Sequence, residues 1–234
     1  MSNTKLFCLP YAGGSSSIYS RWNKQIGDSV EVIPIEPSGR GKRYNQPLYD
    51  SVEEAVCDIY EIIQQETDGS EDYAVFGHSL GGIIAYELAY KIKAEGRPYP
   101  IHIFFSGVKA PNLKTEENRL HELPDDEFKQ KVFELGGTPA EILENGELLE
   151  LFLPILRADF RINENYRYTE RKEKIGCGIT VIYGKKEDMK LNEIVEWRNH
   201  TEGQCSIYML DGDHFFINTH TEDVLKIIKG TLNK

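Results

Sequence analysis

The chain has 234 residues, 40% hydrophobic and 28% charged, with a formal net charge of −11. That length suits one domain, or one domain carrying a sizeable insertion, and the acidity excludes a basic face for nucleic acid. No run is apolar and long enough to span a bilayer, the first ten residues lack a signal-peptide layout, and Cys8, Cys57, Cys177 and Cys205 form no CxxC pair, so neither zinc nor a disulfide scaffold is expected. The expectation is a cytoplasmic chain with reduced thiols and no metal or other cofactor.

Short β-branched and aromatic runs alternate with helical patterns along the chain. Strands are expected at residues 5–9 and 30–35, a helix at 52–65, a strand at 73–76, a helix at 81–93 and a strand at 101–105. From about Asn112 to Tyr168 the strand rhythm stops. Helical stretches at 125–135, 140–144 and 147–157 replace it, interrupted by Pro139 and Pro154, with Leu148, Leu149, Phe152 and Leu153 as an apolar stripe. A strand at 179–183, a helix at 192–199, a strand at 206–210 and a helix at 222–232 complete the pattern. This alternation predicts an α/β fold with a mostly parallel central sheet flanked by helices. Residues 1–111 and 169–234 form its core. Residues 112–168 form a helical lid insertion over the carboxyl edge of the sheet, where ligands bind in open α/β folds.

The chemistry concentrates in Gly77–His78–Ser79–Leu80–Gly81, a G-x-S-x-G placed between an expected strand and an expected helix. A serine there sits on a tight, strained turn that lifts its hydroxyl clear, and the flanking glycines remove side chains that would clash. This is the nucleophile elbow of the α/β-hydrolase fold, and Ser79 is its nucleophile. The helix begins directly after Ser79, so the Leu80 N–H is available to a developing oxyanion. A second donor is expected from the loop after the first strand, Pro10–Tyr11–Ala12–Gly13–Gly14, with Ala12 preferred over Tyr11.

Serine needs a base, and the base needs an orienting acid, in the chain order Ser, acid, His. Downstream of the last strand lies Asp211–Gly212–Asp213–His214–Phe215–Phe216, which makes His214 the base; His220, at a helix start, is the rival. The acid belongs after the preceding strand, in Gly184–Lys185–Lys186–Glu187–Asp188. Asp188 is the first choice and Glu187 the alternative. The run Arg40–Gly41–Lys42–Arg43 is the one basic cluster near the site, either a contact for a phosphate or acidic partner, or a solvated loop.

With these pieces placed, the chain resembles the type II thioesterases of nonribosomal peptide and polyketide biosynthesis over nearly its full length. The resemblance rests on Leu9–Pro10–Tyr11–Ala12–Gly13–Gly14, Pro37–Ser38–Gly39–Arg40, the elbow and Gly212–Asp213–His214–Phe215–Phe216. Within the insertion it adds Leu123–Pro124–Asp125, Leu135–Gly136–Gly137–Thr138–Pro139 and Leu153–Pro154–Ile155–Leu156–Arg157–Ala158–Asp159. It implies hydrolysis of acyl and aminoacyl thioesters on the phosphopantetheine arm of carrier domains, which restores a blocked assembly line. It also implies a monomer, with Ser79 and His214 in the catalytic positions and Leu80 and Ala12 in the oxyanion hole. The acid loop departs from the family, with Lys185 in place of a second glycine, so Asp188 and Glu187 both stay open. Two alternatives remain: a carboxylesterase of small free esters, and a non-catalytic binding protein on the same fold.

Overall fold

Side chains in a strand point alternately to opposite faces, and the first strand shows what that does here. In β1 (Thr4–Leu9), Phe7 and Leu9 pack into one buried cluster, while Leu6 and Cys8 pack into another on the opposite face. The same division recurs in β3 (Tyr73–His78), where Tyr73 and Val75 face the first cluster and Ala74 and Phe76 the second. Every residue of β3 is buried, so it reads as a near-continuous apolar run rather than an alternating one.

The computed structural model describes residues 3–67, 69, 71–113, 119–137, 142 and 145–233. Besides β1 and β3, the sheet contains β2 (Val30–Pro34), β4 (His102–Ser106), β5 (Gly178–Gly184) and β6 (Cys205–Leu210). All six expected strands form, each within two residues of its expected ends. Their order is β2-β1-β3-β4-β5-β6 and every pairing is parallel. The chain therefore steps outward from β1 to β2, then crosses back to β3 and proceeds the other way. The reversal lies between the neighbours β1 and β3, and their carboxyl ends flank the crevice where ligands bind in open parallel sheets.

Helices cover both faces. On one side lie α2 (Val52–Glu66) and α3 (Leu80–Ala94); on the other, α1 (Trp22–Ile26) and the last helix, introduced below. α2 starts where Ser51 accepts a hydrogen bond from the Glu54 N–H, and it buries Val52, Ala55, Val56, Ile59 and Ile63, a helical stripe. α3 is buried nearly all round, as a helix wedged against a sheet and two neighbours must be.

Between β4 and β5 run α4 (Asp125–Leu135) and α5 (Gly146–Asn165). They share a small core of Phe128, Val132 and Leu156. Arg157 lies 4.2 Å from the Phe128 ring centre and donates to the carbonyls of His121 and Leu123, so it binds the two helices and the turn before them. α5 runs through Pro154 and eight residues past its expected end, because Ala158, Asp159 and Ile162 are buried and extend the packed face. The helix expected at 140–144 lies, apart from Ile142, outside the described residues. The expected helix at 192–199 divides into α6 (Leu191–Val195) and a 3-10 turn, Glu196–His200. α7 (Phe216–Thr219) and α8 (Thr221–Leu232) close the chain; the short α1 and α7 carry too few residues to show a period. Among the described residues, no helix is long and apolar enough to cross a membrane.

Candidate active site

Ser79 stands between the carboxyl end of β3 and the first residue of α3. Its φ of 54° and ψ of −116° make it the one non-glycine residue with positive φ among those described. Such a conformation costs of order 1–3 kcal/mol and persists only where the surroundings enforce it. They do so here: the Ser79 N–H donates to the Ser106 carbonyl at 2.8 Å, and the Ser79 carbonyl accepts from Gly82 at 2.8 Å. The two motif glycines have steric causes. A Cβ on Gly77 would lie 2.2 Å from the Gly81 carbonyl oxygen, and one on Gly81 would lie 2.3 Å from the Leu9 carbonyl oxygen. The elbow is thus pressed against both its own helix and the end of β1.

His214 follows β6 on the expected loop. Its Nδ1 pairs with Glu187 Oε1 at 2.6 Å, and the Glu187 side chain is only 4% exposed, against 36% for the histidine. The other carboxylate oxygen, Oε2, accepts from the Gly184 N–H at 2.7 Å. The expected acid, Asp188, is exposed, and the carboxylate that meets His214 is that of the alternative, Glu187. The turn explains why. Glu187 donates its own N–H to the Gly184 carbonyl, and that curl brings the longer glutamate side chain back beneath β5 and the histidine. Asp188 falls one residue beyond it. His220, the rival base, caps α8 and shares a hydrogen bond with Thr219.

Ser79 and His214 both line a cavity of about 590 Å³ that also meets Ala12, Gly13 and Gly14. The Gly14 N–H closes a turn on the Tyr11 carbonyl at 2.8 Å. Leu80 is buried directly behind Ser79, where the first N–H groups of α3 have no intrahelical acceptor. Val132 and Leu135 from α4, with Phe152, Ile155 and Leu156 from α5, form the roof.

His78, inside the motif, is fully buried and shares a hydrogen bond between Nδ1 and Ser106 Oγ at 2.8 Å. Burial, with the neighbouring His214, holds its pKa well below the usual histidine value, so it stays neutral. The Tyr11 ring meets it edge-on, at 5.7 Å between centres, and Phe216 does so at 5.5 Å.

The basic cluster is not the free cationic patch its sequence suggested. Arg40 is 4% exposed and forms a two-pronged ion pair with Asp159 of α5, at 2.6 and 2.8 Å. Arg43 makes the same kind of pair with Asp58 of α2, at 2.6 Å on both prongs. Lys42 alone is exposed. Asp159 carries no site signal in the sequence beyond its place in the insertion motif Leu-Arg-Ala-Asp.

The sequence profile of the thioesterase domain matches residues 4–232. A Brevibacillus parabrevis protein named linear gramicidin dehydrogenase LgrE is 38% identical over 231 residues, 97% of this chain and 87% of that protein. The structure of ClbQ from the colibactin NRPS/PKS pathway superimposes with a TM-score of 0.94 at 37% identity, over 99% of this chain and 98% of that one. The type II thioesterase BorB from the borrelidin biosynthetic cluster gives 0.87 at 28% identity, over 97% and 91%. The dehydrogenase of the first name is not carried over, since a strained serine sharing a cavity with a carboxylate-paired histidine is acyl-transfer chemistry. Sequence profile, fold and elbow agree: the chain belongs to the thioesterase domain family and is a thioester hydrolase built on the α/β-hydrolase fold.

Proposed function

We propose that the protein releases acyl groups from the phosphopantetheine arm of carrier domains in nonribosomal peptide or polyketide assembly, clearing stalled or wrongly loaded thioesters. One observation carries the reading. The Glu187–His214 pair and the strained Ser79 open into a single cavity roofed by the helical insertion, so a long tethered thioester can reach the serine while its acyl group is shielded from water. ClbQ, from an NRPS/PKS pathway, and the type II thioesterase BorB support the choice of substrate.

In this reading, His214 takes the proton of Ser79 Oγ as that oxygen attacks the thioester carbonyl. Glu187 holds Nδ1–H and offsets the charge of the imidazolium. The N–H groups of Leu80 and Ala12 receive the oxyanion. The C–S bond breaks, the pantetheine thiolate takes the proton from His214, and the acyl group is left as an ester on Ser79. Water then attacks that ester with His214 again as base, which releases the acid and restores the serine. Residues 112–168 act as the lid, and their motion gates entry. The enzyme works as a monomer in the cytoplasm; an exposed, unpaired Cys57 fits a reducing compartment.

The test is release of acyl groups from loaded carrier domains, followed by intact-protein mass spectrometry, with wild type beside Ser79→Ala. Rapid Ser79-dependent release, faster than from matching free esters, is the expected result. Brisk cleavage of simple esters with none from any carrier would replace this reading with a carboxylesterase. Absence of labelling by a fluorophosphonate would leave a binding protein.

A further inference from the structure

The ion pair between Arg40 and Asp159 touches more than itself. Asp159 Oδ2 also accepts from the Gly13 N–H at 2.7 Å, and Arg40 Nη1 also donates to the Gly14 carbonyl at 3.0 Å. Two side chains, both about 95% buried, therefore grip the loop after β1 by a donor and an acceptor on successive residues. A third bond, from the Gly14 N–H to the Tyr11 carbonyl, closes the loop on itself.

The planarity of the peptide unit turns these bonds into a direction. The Tyr11 carbonyl and the Ala12 N–H belong to one trans peptide, so they point opposite ways. Fixing the carbonyl on Gly14 fixes where the Ala12 N–H points. The next peptide carries the Gly13 N–H, and Asp159 holds it. Both planes flanking Ala12 Cα are thus set. Gly13 completes the restraint, with a φ of 77° and with Leu156 and Phe152 of α5 packed against it.

Stability does not explain a buried ion pair here. Desolvating both charges offsets much of their attraction, and apolar residues of similar volume often serve the fold as well or better. What apolar residues cannot do is hold an N–H and a carbonyl of the neighbouring loop. The geometry points to Asp159 and Arg40 as positioning residues that aim the Ala12 N–H at the oxyanion, acting through the loop and tying it to α5 of the insertion. This rests on the proposed role of the loop as the second oxyanion donor.

Three proteins test it, each assayed per active site titrated with a fluorophosphonate. The first is Asp159→Asn, nearly isosteric. The second is the apolar pair Arg40→Met with Asp159→Leu. The third carries an ester in place of the Tyr11–Ala12 peptide bond, which removes the Ala12 N–H and keeps the Tyr11 carbonyl as a weaker acceptor for the Gly14 N–H. Losing an oxyanion donor outright costs about 100-fold or more in rate; the ester protein is expected to show that loss. Asp159→Asn and the apolar pair are expected to lower kcat by about tenfold up to that ceiling, with KM within about twofold. Their affinity for a trifluoromethyl ketone mimic of the tetrahedral intermediate should fall in step with kcat/KM. A purely structural pair would lower Tm and leave kcat per titrated site and ketone affinity unchanged, which overturns the proposal. If the ester protein loses activity and the two side-chain variants do not, the proposal fails and the oxyanion loop stands. If the ester protein keeps full activity, the loop reading falls and the proposal with it.

Discussion

Replacing Glu187 by glutamine changes one charge and leaves the shape of the site intact. The amide oxygen can still accept from the Gly184 N–H, now bonded at 2.7 Å. What is lost is the anionic partner of His214 Nδ1, now at 2.6 Å from a carboxylate that is almost wholly buried. An amide presented to Nδ1 by its NH2 group favours the wrong imidazole tautomer, and the base no longer faces the serine with a free lone pair. In a serine protease the equivalent acid-to-amide change costs about 10⁴ in kcat, which corresponds to about 5.4 kcal/mol of transition-state stabilisation at 1.36 kcal/mol per decade. Glu187→Gln is expected to show a loss of that order, while thermal unfolding moves by only a few degrees. Asp188→Asn, on an exposed side chain, is expected to stay within about twofold of wild type, as surface substitutions do. Glu187→Asp shortens the reach by one C–C bond, about 1.5 Å, and should fall between. The assay is steady-state hydrolysis of a loaded carrier domain and of a small acyl thioester, with active sites counted by fluorophosphonate. A 10⁴-fold loss in Asp188→Asn with near-normal activity in Glu187→Gln would refute the assignment.

Other consequences are open to measurement. Ser79→Gly should abolish turnover yet raise Tm by about 2–4 °C, because glycine relieves a strain of about 1 kcal/mol at φ 54°; an unchanged or lower Tm would remove strain from the argument. His78 has its folded pKa pushed well below the usual 6.5, by burial first and by His214 second. As pH falls below 6.5 the unfolded chain takes up a proton that the native state refuses, so stability drops by up to about 1.4 kcal/mol per pH unit. His78→Gln should flatten that decline in urea midpoints between pH 6.5 and 4.5, with the smaller part due to buried His200 remaining. Arg43→Glu should destabilise the fold by stranding Asp58, whereas Lys42→Glu should leave Tm alone; a Tm unaffected by Arg43→Glu would return the cluster to the surface role its sequence suggested. Among the described residues lining the cavity, the one side chain with a fixed charge is Arg40, which Asp159 neutralises. Among those described residues an α-ammonium finds no carboxylate, so apolar acyl groups should exceed aminoacyl groups of similar size in kcat/KM by about tenfold or more.

The parallel sheet was legible because its strands are short runs rich in apolar residues set between helical periods, and burial on both faces demands that pattern of the central strands. Ser79 was legible for a similar reason. The elbow forces its composition: glycines at 77 and 81 stand where any side chain would strike backbone within about 2.3 Å. His214 followed from chain order, since parallel strands added one after another bring their carboxyl ends to one edge. Helix ends were less legible. α5 outran its expected limit because what decides its length is the burial of Asp159 and Ile162, a property of the surface it meets and not of its own period.

The acid and the clamp share one reason for escaping the sequence. Choosing Glu187 over Asp188 depends on whether a four-residue turn curls toward the histidine or away, and on one methylene of reach; adjacent carboxylates carry the same composition and the same charge. Arg40 and Asp159 lie 119 positions apart, and each looks ordinary alone, one in a basic run and the other in an amphipathic helix. Their meaning arises only when the insertion folds back over the sheet and brings Asp159 to the Gly13 N–H. A buried ion pair that also binds loop backbone is a tertiary object: its parts satisfy no local rule, and removing either leaves a charge stranded in the interior. That is why the positively charged run looks like a surface feature in the sequence, while its first arginine belongs to the packing that joins the insertion to the site.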